Sequence, residues 1–101
     1  MRQNFRTYDL AVNFYHLAEK LTLKAHLREQ LARASASIVL NLAEGRAKRT
    51  TKDQLRFFDF AMGSLRECQA ILTLARLQDT EACITLDTLG AHLYCLIKKA
   101  H

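Results

Sequence analysis

Apolar residues recur along this chain at intervals of three and four, which is the spacing of one face of an α-helix. Four such runs cover about residues 7–22, 25–44, 52–77 and 80–99. The connections between them are short, and helices joined by short connections pack as antiparallel neighbours. The pattern therefore predicts an all-α fold, an antiparallel up-down-up-down four-helix bundle formed by residues 1–101 as a single domain.

Each predicted helix carries its own line of core positions. Helix 1 has Leu10, Phe14, Leu17 and Leu21, helix 2 has Leu27, Leu31, Ala34 and Ile38, and helix 4 has Leu86, Leu89, Leu93 and Leu96. Helix 3 has two lines, one of Leu55, Phe58, Met62, Leu65 and Leu72 and one of Phe57, Ala61, Ser64, Cys68, Ile71 and Ala75. Two apolar lines indicate that helix 3 contacts more than one neighbour.

Turn and capping residues predict where the helices begin and end. Gly45 stands where a left-handed residue after the last turn would end helix 2. Thr51 and Gln54 have the spacing of a capping box, which would begin helix 3 near Lys52. Asp79 or Thr80 is expected to cap helix 4.

The composition agrees with a helical domain and indicates the cellular compartment. Half of the residues are hydrophobic, Pro is absent, and only three Gly are present, so little of the chain is suited to turns. No continuous apolar run follows the N-terminus, which predicts neither a signal peptide nor a membrane span. The three cysteines form no Cys-x-x-Cys pair, and this usage favours the cytosol.

Polar residues interrupt the predicted core of helices 2 and 3. Ser37, Asn41 and Glu44 share one face of helix 2, and Ser64 and Glu67 are stacked on helix 3. One interpretation is a catalytic or metal-binding pair of carboxylates. The other, which we favour, is a buried hydrogen-bonded cluster that specifies helix register and assembly. Whether Asn41 meets Glu67 depends on the register and stays open.

Residue spacing argues against metal and catalytic sites. No Asp or Glu has a His three residues later, and the histidines are scattered, at His16, His26, His92 and His101. Ser64 follows Gly63 in mid-helix, without the Gly-x-Ser-x-Gly pattern of a nucleophile elbow. We therefore expect no enzyme activity, no catalytic residues, no metal and no cofactor. Gly63 is expected to allow close approach of a neighbouring backbone, for example the small residues 32–37.

Positive charge is concentrated in residues 46–56, which we call the basic segment. It holds five cations, Arg46, Lys48, Arg49, Lys52 and Arg56, against one acid, Asp53, for a net charge of +4. Such a cluster is suited to phosphate, and the N-terminus of helix 3 would add free N–H groups. No aromatic platform is evident among the cations, so reading of bases is not expected. Further cations at Arg2, Arg6, Lys98 and Lys99 would add to the cluster if the chain ends converge on it, a point that the sequence leaves open.

The sequence resembles a known family of bacterial four-helix-bundle proteins. The residues that carry the resemblance are Gln30, Leu31, Ala34, Ser37, Ile38, Asn41, Ala43, Glu44 and Gly45, followed by Ala61, Gly63, Ser64, Leu65 and Glu67. Some members are encoded within intervening sequences of 23S ribosomal RNA genes, and the family is distantly similar to the accessory protein of diversity-generating retroelements. The resemblance implies a pentameric ring and an RNA or retroelement context.

Leftover apolar residues also favour an oligomer. Phe5, Tyr8, Tyr15, Phe60, Tyr94 and Ile97 lie off or beside the core lines. Five copies would carry a formal charge of +25, since one carries +5, and a weak patch would become multivalent.

Two hypotheses of function follow from the charge, the leftover apolar residues and the resemblance. The first is a homo-oligomeric accessory protein that binds nucleic acid, chiefly RNA, without base specificity. The alternative is an adaptor that docks an acidic protein partner such as a polymerase-type enzyme.

Overall fold

The structure is a computed structural model that describes the backbone of residues 2–100 and the side chains of residues 6–100. The predictions made for the side chains of Arg2 and Phe5 and for His101 lie outside the described residues. Four helices follow one another along the chain: α1 (Arg2–Glu19), α2 (Ala25–Ala47), α3 (Thr51–Leu74) and α4 (Glu81–Ala100). The all-α prediction is confirmed.

The helices form a four-membered bundle in which each packs on two neighbours. The contacting pairs are α1 with α2, α2 with α3, α3 with α4, and α4 with α1. Contacts along α2 and α3 show that these helices are antiparallel, because Arg33, Ser37 and Gly45 meet Glu67, Ser64 and Phe58 in turn. The Cβ position of Gly90 on α4 lies 3.6 Å from Leu65 on α3, as expected for a second antiparallel pair with a short connection. This is the predicted up-down-up-down arrangement. No helix in the described part of the chain has the length and apolar character needed to cross a membrane.

The core follows most of the predicted lines on α2, α3 and α4 and shifts on α1. Leu55 and Phe57 of the predicted α3 lines lie outside the core cluster, and Leu27, Met62 and Ala75 are only partly buried. Buried positions on α2, α3 and α4 include Leu31, Ala34, Ile38, Phe58, Ala61, Leu65, Cys68, Ile71, Leu72, Leu86, Leu89, Leu93 and Leu96. On α1 the buried line is Thr7, Ala11, Phe14 and Ala18, while Leu10, Leu17 and Leu21 are only partly buried beside it. Small residues let α1 approach the bundle closely, and the larger leucines then flank the contact.

Gly45 has a different use from the one predicted. It is not left-handed, because no described glycine has a positive φ, and α2 continues past it to Ala47. Gly45 is buried, and a Cβ placed on it would lie 2.6 Å from Cε1 and 2.8 Å from Cδ1 of Phe58. The glycine therefore makes room for an aromatic ring inside the helical hairpin.

The expectation for Gly63 is also wrong. A Cβ at Gly63 would have no heavy atom within 4 Å, so no neighbouring backbone of this chain approaches it. The leftover apolar residues also differ in burial. Tyr8 and Ile97 pack against the core, Tyr15 is half-buried outside the core cluster, and Phe60 and Tyr94 are 49% and 58% exposed.

The helix ends show how local hydrogen bonds decide the boundaries. Helix α3 ends at Leu74 rather than near Leu77, because Arg76 adopts a positive φ of 60°. The Leu77 N–H donates to the Leu72 carbonyl at 2.9 Å, and the Arg76 N–H donates to the Thr73 carbonyl at 3.1 Å. These two bonds form a Schellman motif with arginine at the position that usually holds glycine.

The N-terminal caps agree in part with the prediction. Thr80 caps α4, since its hydroxyl accepts from the Cys83 N–H at 3.3 Å. For α3 the cap is Thr50, one residue earlier than predicted, and its hydroxyl accepts from the Asp53 N–H at 3.1 Å. The predicted Thr51 and Gln54 capping box is therefore wrong. Helix α1 begins at Arg2, before the predicted residue 7, and it ends at Glu19, before the predicted residue 22.

Candidate nucleic-acid interface

The connection between α2 and α3 is short and is held by hydrogen bonds. Only residues 48–50 separate the helices. The Lys48 N–H donates to the Gly45 carbonyl at 3.2 Å, and the Gln54 side chain donates its Nε2 proton to the Lys48 carbonyl at 3.1 Å. With Thr50 bound to α3 as its cap, the loop has a defined conformation that holds the cations of the basic segment in place.

The five predicted cations lie together at this end of the bundle but differ in their contacts. Lys48 Nζ lies 3.3 Å from a carboxylate oxygen of Glu44, and the Arg46 guanidinium lies 5.2 Å from the centre of the Tyr8 ring. Arg49 and Lys52 are exposed and, within the described part of the chain, form no ion pair. These two are the cations most available to an anionic ligand.

The chain ends bring more positive charge to the same place. In an antiparallel bundle, the start of α1 and the end of α4 lie at the same end as the connection between α2 and α3. The Arg46–Tyr8 contact shows this for α1, and α4 packs against α1. Arg6, Lys98 and Lys99 are exposed there. We call residues 6–9, 44–56 and 94–100 the basic end. It holds eight cations and three acids, so its formal charge of +5 equals that of the whole chain.

An aromatic pair lies among these cations, contrary to the sequence-based expectation. The rings of Phe57 and Phe60 pack edge to face, with 5.8 Å between centroids and 87° between planes. The Arg56 guanidinium lies 5.4 Å from the Phe57 centroid and 5.9 Å from that of Phe60, and Lys48 Nζ lies 5.1 Å from Phe57. Phe57 had been placed in a core line and Phe60 among surplus residues, so the pair was missed. The run Arg-Phe-Phe-Asp-Phe at residues 56–60 was the available signal.

The predicted polar cluster separates into three smaller contacts. Ser37 and Ser64 are hydrogen-bonded at 2.8 Å between their hydroxyl oxygens. The Asn41 amide donates to the Ser37 carbonyl at 2.9 Å and to the Ser37 hydroxyl at 3.1 Å. These three residues are half-buried, while Glu44 is exposed and turns to Lys48. The α2–α3 contact thus contains a serine–serine–asparagine group without a carboxylate.

Glu67 pairs with Arg33 across the same hairpin. Asn41 is therefore not its partner. Arg33 was missed, although it lies four residues before Ser37 on the helix face that carries the polar residues. An antiparallel register that pairs Ser37 with Ser64 brings Arg33 to Glu67. The two carboxylates of the predicted cluster, Glu44 and Glu67, therefore lie at different levels of the hairpin, and each has its own basic partner.

The thiol of Cys68 lies in the core beside the Arg33–Glu67 pair. Burial raises the pKa of the Cys68 thiol to about 12, with the Glu67 carboxylate adding to the rise and Arg33 opposing it. A nucleophilic cysteine needs the opposite shift. Among the described residues, no three His, Cys, Asp or Glu side chains lie close enough to hold a metal ion.

Comparison with known sequences identifies the family. The profile of the family described as 23S rRNA-intervening sequence protein matches residues 5–96. The chain belongs to this family. The match includes α2, α3, the connection between them and most of α1 and α4, so it takes in the basic segment and the aromatic pair. No curated protein and no solved structure gives a significant match.

Proposed function

We propose that this family member is a non-enzymatic accessory protein that binds RNA through its basic end. The observation that carries the proposal is the concentration of a formal charge of +5 at one end of the bundle. Membership in a family described by 23S rRNA intervening sequences supports RNA as the nucleic acid. It acts in the cytosol, where its three free thiols stay reduced.

Phosphate contacts supply the affinity in this proposal. Arg49 and Lys52 are exposed beside the N-terminus of α3, whose first N–H groups and helix dipole favour anions. Contacts of this kind position a backbone and do not distinguish one base pair from another. Binding should therefore depend steeply on salt and little on the order of base pairs.

Homo-oligomer formation, with the pentamer that the resemblance implies, is part of the proposal. Five large hydrophobic side chains are exposed on the described surface: Leu40, Phe60, Leu74, Ile84 and Tyr94. A second copy would cover some of this surface. Assembly would also multiply the number of basic ends that contact one RNA, which raises overall affinity without any new type of contact.

The non-enzymatic part of the proposal is supported by the state of the candidate nucleophiles. The Ser64 hydroxyl bonds to the Ser37 hydroxyl, not to a base, and the Cys68 thiol has a raised pKa. Assays for nucleotide and ester hydrolysis with pure protein test this directly. Turnover that disappears in Ser64→Ala or Glu67→Gln would contradict it.

The exposed hydrophobic side chains also favour a second candidate, the protein adaptor with an acidic partner. The two candidates differ in their affinity for RNA. An adaptor would bind RNA weakly at low salt, and its partner would be lost when exposed apolar residues such as Leu40 and Ile84 are changed to Ser.

The test of RNA binding is fluorescence anisotropy of a labelled structured RNA titrated at several salt concentrations. The variant Arg49→Glu/Lys52→Glu removes the two most available cations. The control Lys20→Glu/Lys24→Glu makes the same change in net charge at the opposite end, where both lysines are exposed. We expect the first variant to lose affinity and salt dependence and the control to keep most of both. Equal losses, or a wild type that does not bind at low salt, would refute the proposal.

A further inference from the structure

The pair Phe57 and Phe60 has no sufficient explanation in the packing of the bundle. Phe58, between them, is the core residue, with 1% of its surface exposed. Phe60 is 49% exposed and is not part of the core cluster. Its ring nevertheless has a defined position, because it packs edge to face on Phe57 with Arg56 beside both rings. An ordered aromatic surface is thus held open to solvent.

The position of the pair links it to the basic segment. Lys48 reaches Phe57 from the loop, and Arg56 lies one helical turn before Phe60. A ring next to exposed cations can bind both the base and the phosphate of a nucleotide, because the base stacks on the ring while the phosphate contacts a cation. The guanidinium plane of Arg56 can extend the stacking surface.

We propose that Phe57 and Phe60, with Arg56, form a stacking platform for an unpaired nucleobase, so that the basic end favours single-stranded or looped RNA over duplex. The inference rests on the proposed function, of which it specifies the substrate class. Bases in a regular duplex are stacked on each other and do not reach a protein ring, whereas unpaired bases can be splayed onto one. Stacking of this kind tolerates any base, so the platform adds selectivity for strandedness without sequence specificity.

Single-tryptophan variants give a direct measurement. The chain contains no Trp, so Phe60→Trp introduces the sole indole, and Leu74→Trp is the matched control. Leu74 is a suitable control because it is 71% exposed and lies at the end of α3 that is opposite the basic end. We expect single-stranded oligouridylate to quench the emission of Phe60→Trp. Duplex RNA of equal length should not quench it, and neither RNA should quench Leu74→Trp.

Affinity measurements with Phe60→Leu complete the test. We expect this variant to bind the single strand about tenfold more weakly, within the range for loss of one stacked base. Duplex affinity and the salt slope should stay unchanged, because the phosphate contacts remain. Circular dichroism and light scattering show whether fold and assembly are intact.

The outcomes separate this inference from the proposed function. If the wild type binds both RNAs and Phe60→Leu binds the single strand equally well, the platform is refuted while RNA binding by the basic end stands. If Phe60→Leu loses affinity for both RNAs alike and its assembly changes, Phe60 belongs to an interface between copies and the platform is again refuted. If the wild type binds neither RNA, the proposed function fails and the platform with it.

Discussion

Replacing Gly45 by Ala tests whether the α2–α3 contact is as close as the structure shows. The added Cβ would lie 2.6 Å from Cε1 of Phe58 and 3.3 Å from Cβ of Phe57. Carbon atoms pack best at about 3.5–4.0 Å, so the Phe58 ring would have to move by about 1 Å. The ring is fully buried, and overpacking of this kind costs about 1–3 kcal/mol.

The opposing term is helix propensity, which favours Ala over Gly by about 1 kcal/mol in a helix interior. Because Phe58 is 1% exposed and two of its ring atoms would lie within 3 Å of the new Cβ, we take the upper part of the overpacking range. We therefore expect Gly45→Ala to lower the free energy of unfolding by about 1–2 kcal/mol. For a domain of this size the melting temperature would fall by about 4–16 °C.

Thermal and urea unfolding followed by circular dichroism measure the effect. Gly63→Ala is the matched control, since its Cβ would meet nothing within 4 Å, and we expect it to raise the free energy of unfolding by about 1 kcal/mol. Gly45→Ala should lower the free energy of unfolding less when Phe58→Leu is also present, because the smaller side chain removes the clash. A Gly45→Ala protein as stable as Gly63→Ala would refute the reasoning.

Three further predictions concern other parts of the bundle. Arg76→Gly should raise the free energy of unfolding by about 1 kcal/mol, because the residue has φ of 60° and glycine adopts this conformation without steric cost; an unchanged urea midpoint would contradict this. Asn41→Leu should keep the helical content and disturb assembly, as measured by light scattering, and an unchanged size and melting temperature would count against it. The Cys68 pKa is raised to about 12 in the folded state, so the unfolded chain loses the thiol proton first. Stability should therefore decrease as pH rises from about 9 to about 12, and Cys68→Ala should decrease less over that window than the wild type.

The sequence predicts most of the fold because the relevant information is local. The spacing of leucines on α4 placed Leu86, Leu89, Leu93 and Leu96 in the core, and all four are buried. The prediction is less accurate on α1, where Phe14 is buried as predicted but the other buried positions are the small residues Thr7, Ala11 and Ala18. A hydrophobicity pattern ranks these small residues below the neighbouring leucines. Arg76 ends α3 in a left-handed conformation that a sequence assigns to glycine by default, so that boundary was placed too late.

The candidate site was predicted in composition but not in arrangement. The five cations of the basic segment are adjacent in sequence, and any fold would keep them near each other. Lys98 and Lys99 belong to the same basic end only because the antiparallel order of all four helices brings the end of α4 there. The pairing of Phe60 with Phe57 is visible only in the structure, where Phe60 lies on the exposed side of α3 and Phe58 lies in the core.

Sequence alone therefore determined the four helices, most of the apolar faces of α2, α3 and α4, and the position of the basic segment, since each depends on residue spacing within one stretch of chain. Tertiary structure decided which residues meet across helices: Gly45 with Phe58, Arg33 with Glu67, and Arg46 with Tyr8. These contacts depend on the register and rotation of one helix against another. Register is set by the packing of the whole core, and no single segment of the sequence encodes it.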